Sequence, residues 1–264
     1  MICGWVRYGL RFRAAGVCML LAASIACGNR GSIVPPGTTQ PDQFLFDRAN
    51  QELKEEHWLN ARTYFRQIVD NYPQSPLRSD AKLGIGDTYL GENTIESVVL
   101  AANEFKEFLS FYPTSTRADY AQYKLTMSHF SKMRAPERDQ SETREAIREF
   151  QVFFDRYPNS ALMAEVRLKH REARDRLTGA SYRVGVFYFR SRWYPGAIAR
   201  FREVLAEDPE FSGKDGVYYY LAESLARTDK RAEAIPYFER LLSEFQASEF
   251  LDETKQRLQE LKNQ

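Results

Sequence analysis

The chain has 264 residues, 43 % hydrophobic and 28 % charged, which excludes a disordered polypeptide and suits one large or two ordinary soluble domains. Its 37 basic and 36 acidic side chains nearly cancel, so no excess of positive charge points to nucleic acid. The three cysteines, Cys3, Cys18 and Cys27, all lie at the N-terminal end, leaving the body without a disulfide, a thiolate nucleophile or a cysteine-ligated zinc cluster.

Residues 1–26 read as an export signal. Arg7, Arg11 and Arg13 give a positive start with no acid, so from Cys27 onward 34 basic groups meet 36 acidic ones. Ala14–Ala26 is an apolar run of thirteen, too short to span a bilayer but long enough for a signal core. Ser24-Ile25-Ala26-Cys27-Gly28 then resembles a bacterial lipobox, with Ser24 where leucine is commoner, and marks Cys27 as the lipidated first residue of the mature chain. A diacyl-plus-amide group holds a membrane far more firmly than one chain, at about 0.8 kcal/mol per buried methylene. By the same resemblance, Gly28 in place of the inner-membrane retention residue Asp implies the outer membrane. Residues 27–42, rich in Gly, Pro and Thr, read as a lipid-anchored flexible tether.

The body repeats. Counting back from Pro73, Pro113, Pro158, Pro209 and Gln246, the fifth place holds Ile68, Phe108, Phe153, Val204 and Leu241. The eighth holds Phe65, Phe105, Phe150, Phe201 and Phe238, and the twelfth Ala61, Ala101, Ala146, Ala197 and Ala234. Steps of three and four place these columns on one helix face, a small residue admitting a neighbouring helix and a Phe filling the space beside it. Proline stops the helix, and in the recurring Tyr-Pro-x-Ser the serine is expected to cap the next one. First helices are expected to start near Asp42, Ser75, Ser115, Ser160 and Ser212, with packing residues Ala49, Gly86, Ser128, Gly185 and Ala222. The stops are spaced 40, 45, 51 and 37 residues apart, longer than the roughly 34 of the tetratricopeptide repeat they resemble. The surplus collects at 161–177, which either fuses with 180–190 into one helix or bends at Thr178-Gly179. The expected fold is all-α, a TPR-like α-solenoid of five helix pairs plus a C-terminal capping helix over 248–262. Repeats one to three occupy 43–158; repeats four and five, with the long linking helix and the end cap, occupy 159–264.

Catalytic patterns are not found. His57, His129 and His170 fall in different repeats without metal-ligand spacing, and Gly84-Ile85-Gly86 lacks the Lys-Ser/Thr ending of a phosphate loop. No cofactor, metal or catalytic residue is expected. One segment is more specific, running from Ala135 through Arg138-Asp139-Gln140 to Thr143 and Ala146. Asp139 with Glu142 fits a capping box, making an elongated loop held by its own cap; alternatively, Arg138 and Gln140 project as partner contacts.

The lipobox, five TPR-like units, the Arg138-Asp139-Gln140-x-x-Thr143 loop, the Ser181–Tyr188 run (SYRVGVFY) and Tyr194–Phe201 (YPGAIARF) together resemble the BamD family of lipoproteins, over about residues 27–250. The resemblance implies a non-enzymatic scaffold at the periplasmic face of the outer membrane. Its implied partners are the POTRA region of the barrel insertase BamA, unfolded outer-membrane β-barrel proteins read through a C-terminal β-signal, and other Bam lipoproteins in some lineages. On the tetratricopeptide pattern a client groove maps to Gln43, Phe46, Asn50 and Leu53, then Asp80, Leu83, Asp87 and Leu90, with residues 180–245 left for docking to BamA. A TPR adaptor lipoprotein acting in division or the Tol–Pal system shares the architecture, though the coiled-coil segment common in such proteins has no counterpart before these repeats. An envelope enzyme or an α/β solute-binding protein would need chain that the repeats already occupy.

Overall fold

The computed structural model describes residues 33–263; the expected signal at 1–26 and the first part of the tether, 27–32, with Cys27, lie outside the described residues, and the last tether positions, Pro41 and Asp42, already belong to the first helix. Residues 33–38 make a short turn, where the N–H and hydroxyl of Thr38 both donate to the Pro35 carbonyl. From Thr39 onward the chain is one compact unit.

Eleven α-helices and no strand are found among the described residues. They are α1 (Pro41–Lys54), α2 (Trp58–Asn71), α3 (Arg78–Glu92), α4 (Ile95–Phe111), α5 (Ala118–Phe130), α6 (Ser141–Arg156), α7 (Met163–Arg190), α8 (Tyr194–Glu207), α9 (Lys214–Ala226), α10 (Arg231–Glu244) and α11 (Leu251–Asn263). Each helix packs on the next, giving the five expected pairs with α11 closing the end. First helices of neighbouring pairs also touch, α1 with α3, α3 with α5 and α7 with α9, so the odd-numbered helices form the tighter side of the stack.

The repeat columns are the core. All five alanines, all five Phe and all five residues of the third column are buried. The small residues of the first helices admit the rings: a Cβ on Gly86 would lie 2.7 Å from the ring of Phe105, and one on Gly185 2.5 Å from that of Phe201. Every second helix of a pair closes alike, with the N–H of Tyr72, Tyr112, Tyr157, Asp208 and Phe245 donating to the carbonyl of Ile68, Phe108, Phe153, Val204 and Leu241.

The serines act differently from expectation. The hydroxyls of Ser75, Ser115, Ser160 and Ser248 accept the N–H of Leu77, Arg117, Leu162 and Phe250, two residues on, and each following helix starts three residues after its serine. They close the turn rather than cap the helix. Three of them also donate to an acid in the first turn of the preceding first helix: Ser75 to Asp42 (2.7 Å), Ser160 to Asp119 (2.6 Å) and Ser248 to Asp215 (2.7 Å). Ser212 uses only its backbone N–H, which donates to Asp175.

Helix α7 runs unbroken through Thr178-Gly179. Its first half packs Val166 and Ala173 with Phe150 and Phe153 of α6, while Tyr182, Val186 and Phe189 in its second half pack with Phe201 of α8. Repeats four and five are therefore carried along the α7 axis relative to repeats one to three. Asp208, 2 % exposed at the end of α8, fixes the offset by accepting from both Arg171 guanidinium nitrogens and from the Thr178 hydroxyl (2.7 Å). Burial alone would raise the Asp208 pKa. Those hydrogen bonds and the charges of Arg171 and Arg174 outweigh it and hold the carboxyl below its usual range.

Candidate partner-binding surfaces

The first surface is the face of α1, α3 and α5. On α1, Gln43 is exposed, while Phe46, Asn50 and Leu53 are half-buried; Phe46 stands edge-on to Phe65 at 5.8 Å, and Asn50 donates to the Phe46 carbonyl. On α3, Asp80, Asp87 and Leu90 are half-buried, but Leu83 is only 2 % exposed. Leu83 is thus a core residue and not a groove contact. Gly84 and Gly86 let Phe65 and Phe105 approach so closely that α3 buries more of its circumference than an ordinary first helix.

A polar seam on this face has members that the repeat pattern did not single out. The Tyr120 hydroxyl of α5 donates to both Asp87 oxygens at 2.9 and 2.8 Å, and Lys124 lies 3.4 Å from the same carboxylate. Arg117 sits over the Tyr120 ring at 4.7 Å and 3.7 Å from Asp80. Burial raises the Asp87 pKa despite Lys124 and the Tyr120 hydrogen bond, and burial beside Asp87 raises that of the Tyr120 hydroxyl. The only advance signal was an acid on α3 with Tyr and Lys about one repeat later.

The second surface is the loop at 131–140. Asp139 accepts from the Ser141 N–H, two residues on, and so closes the turn before α6 rather than capping the helix, and Glu142 does not complete a capping box. It binds His129 (2.8 Å) and Lys132 (2.9 Å) instead, because the end of α5 brings two donors within its reach. Gln140 is 5 % exposed, so it is a brace and not a projecting contact. Its amide donates to the carbonyls of Ala135 and Arg138 and accepts from buried Thr143. Arg138 alone of the four motif residues presents a free charged end to solvent; exposed Asp139 is held by Ser141. Glu137 reaches Arg183 of α7 at 2.7 Å, and Pro136 rests beside Gly179.

The third surface belongs to the C-terminal pairs, where aromatic contacts dominate. Tyr219 stacks on Phe250 with ring centroids 4.6 Å apart, and Phe189 meets Tyr220 at 5.0 Å. Val184, Phe187 and Trp193 remain exposed, at 38, 64 and 55 %.

His57, Glu52 and Glu55 bring three potential metal-ligand atoms within 4.8 Å of one another. Glu52 already accepts from Arg48, His57 and Asn60, so the group is a closed hydrogen-bonded corner of the α1–α2 turn. His170 is packed edge-on between Phe150 and Phe154.

Comparison with known proteins agrees with this architecture. The YfiO family model, described as outer membrane lipoprotein, matches residues 38–227, and a tetratricopeptide-repeat model matches 217–248, the span of α9 and α10. The outer membrane protein assembly factor BamD of Caulobacter vibrioides is 27 % identical over 210 residues, covering 78 % of this chain and 67 % of the relative. That of Xylella fastidiosa (strain 9a5c) is 23 % identical over 180 residues, 64 % of this chain and 61 % of the relative. The chain thus spans about two thirds of the length of these relatives. A solved thermophilic tetratricopeptide protein of Thermus thermophilus aligns at 17 % identity and a TM-score of 0.38, over 84 % of this chain and 100 % of that one.

Proposed function

The chain belongs to the YfiO family of outer membrane lipoproteins, and from that membership we propose that it is a non-enzymatic assembly scaffold, receiving unfolded outer-membrane β-barrel proteins and docking to the barrel insertase BamA. The observation that carries the reading is the family match laid over five stacked helix pairs, in which the touching first helices α1, α3 and α5 offer one face to an extended polypeptide. On that face Phe46, Leu53 and Leu90 supply apolar contacts between Asn50 and the Asp87–Tyr120 seam, a mixture suited to a strand with alternating apolar and polar side chains. Docking to the BamA POTRA region falls to residues 180–245, where exposed Phe187 and Trp193 offer the large apolar side chains that anchor protein interfaces. Lipid on Cys27 would tether the body at the periplasmic face through residues 28–40. Other Bam lipoproteins are further candidate partners.

Depletion in the native host tests the reading. The expected result is loss of porins from the outer membrane with accumulation of unfolded barrels. Chains of unseparated cells with normal porin levels would favour a division or Tol–Pal adaptor. For the client face, Phe46→Ala with Leu90→Ala should weaken photo-crosslinking to a C-terminal client peptide, and unchanged crosslinking would remove α1 and α3 from the contact.

A further inference from the structure

The loop at 131–140 stands between two cavities, and each has an apolar wall. Toward repeat two, Ile95, Val98 and Val99 of α4 face Lys132 and Arg134 across about 600 Å3. Toward α7, Val186 and Phe187 line about 370 Å3 together with Phe250, Arg183 and Glu137. Ile95 is 85 % exposed and Phe187 64 %, so neither completes the core.

Charge around the loop is uneven. Glu142 pairs with Lys132, Glu137 pairs with Arg183, and Asp139 is held by Ser141, with Arg134 and Arg144 near enough to favour its charge. Of the four acids lining the two cavities, only Glu249 is without such a partner. Arg134 in the first cavity, Arg138 on the loop and Arg190 in the second form no hydrogen bond or ion pair among the described residues. The backbone that carries Arg138 is already fixed by the buried Gln140–Thr143 brace, so ordering it on binding costs little.

We infer that this loop and its two flanking cavities form a docking site for an extended, acidic segment of a partner polypeptide. Its apolar side chains seat on Ile95 and Val99 at one end and on Val186 and Phe187 at the other, with carboxylates facing Arg134 and Arg138 between them. A bilayer would require one unbroken apolar face with a basic rim, whereas here the cationic loop separates two apolar walls. The site lies apart from the α1 and α3 positions offered for clients and shares Phe187 of α7 with the surface proposed for BamA docking; its acidic ligand is distinct from anything the client reading requires.

The test uses the full chain and an end-blocked, fluorescently labelled synthetic peptide alternating Glu and Phe, read by anisotropy. Arg134→Glu with Arg138→Glu should weaken binding by about tenfold or more, as should Ile95→Ala with Phe187→Ala. Unchanged thermal melts are expected for both pairs, because all four side chains are exposed. A Lys–Phe peptide should bind at least about tenfold more weakly than the Glu–Phe one, and added salt should loosen the latter. The inference is overturned if the Lys–Phe peptide binds equally well, or if either double substitution leaves affinity unchanged. Displacement of the Glu–Phe peptide by phosphatidylglycerol vesicles that bind the wild-type chain and not the Arg134→Glu/Arg138→Glu chain would also overturn it, identifying a lipid surface instead.

Discussion

Repeats one to three and repeats four and five share a column pattern but are joined differently. In the first three, directed polar bonds reinforce the apolar contacts between neighbouring helices, within pairs as well as between them. Arg62 is 8 % exposed, donates to Thr88 (3.0 Å) and Glu92 (2.5 Å), and lies over the Tyr89 ring at 3.7 Å. Lys82 meets Glu104 and Glu107 of α4, and Gln122 meets Glu149 of α6. In the last two pairs, rings do this work: Tyr182, Phe189, Phe201, Tyr219, Tyr220 and Phe250 contact one another across α7, α8, α9 and the turn before α11. Directed bonds fix register but depend on charge state, whereas apolar area is insensitive to it. Proton and salt dependence should therefore be strongest in repeats one to three, at the Arg171–Asp208 joint and at the buried Glu223, which accepts from Arg227 and Arg257 beneath α11.

Phe201→Ala breaks the aromatic half at its centre and should cost the most, about 3–5 kcal/mol by urea unfolding, with little change between low and high salt. Gly185→Ala should also destabilise, because its Cβ would lie 2.5 Å from the Phe201 ring. Combined, the two should cost less than their sum, since the added methyl enters the space the ring leaves. Strict additivity would mean that helix and ring do not share that space.

Asp208→Asn tests the joint between the halves. It leaves the Arg171 guanidinium beside a neutral amide, at a cost of about 3 kcal/mol, the lower end for a broken buried pair because the Arg171 side chain is 30 % exposed. Gln140→Ala should cost less, about 1–3 kcal/mol, by stranding the buried Thr143 hydroxyl and releasing the Ala135 and Arg138 carbonyls of the 131–140 loop. Hydrogen exchange should then speed up in that loop before anywhere else in repeat three. Global loosening without a local effect would mean that the brace serves the core and not the loop.

What was legible in the sequence was whatever depends on neighbours three to eight residues away. The Ala and Phe columns and the proline stops predicted ten of the helices. Features whose partners lie a repeat away were not legible. Ser75 looked like a local cap because its second partner, Asp42, is 33 residues back. Glu142 looked like half of a capping box because its partners, His129 at the end of the preceding helix and Lys132 in the turn after it, lie ten or more residues back. Thr178-Gly179 left a fused helix and a bend both open, and what the sequence could not show is the Thr178 hydroxyl bonded to Asp208, 30 residues on, with Gly179 lying against Pro136. Leu83 was misplaced for a related reason, since a face diagram of α3 alone cannot show two Phe rings closing on its glycines.

Asp87→Asn should have the smallest effect and the most informative pH dependence. At neutral pH the buried carboxylate is disfavoured by its surroundings, while Tyr120 and Lys124 favour it; the amide removes the penalty and one of the bonds together. The net change should stay within about 1 kcal/mol. The pKa of Asp87 is raised in the folded protein, so the native state takes up a proton before the unfolded chain does, and its stability contribution grows as pH falls from neutral toward the ordinary value of 3.8. Asp208 behaves oppositely: its folded pKa is depressed, so its contribution is complete above 3.8 and disappears as pH falls through the folded value. The stability difference between wild type and Asp87→Asn should therefore shift in favour of wild type on acidification, while that between wild type and Asp208→Asn narrows. Chemical denaturation of both variants from neutral pH to below 3.8 reads the Asp87 slope above that value and the Asp208 slope below it. Slopes of the same sign would show that burial of Asp87 does not outweigh Lys124 and Tyr120, making the α3–α5 seam an ordinary ion pair.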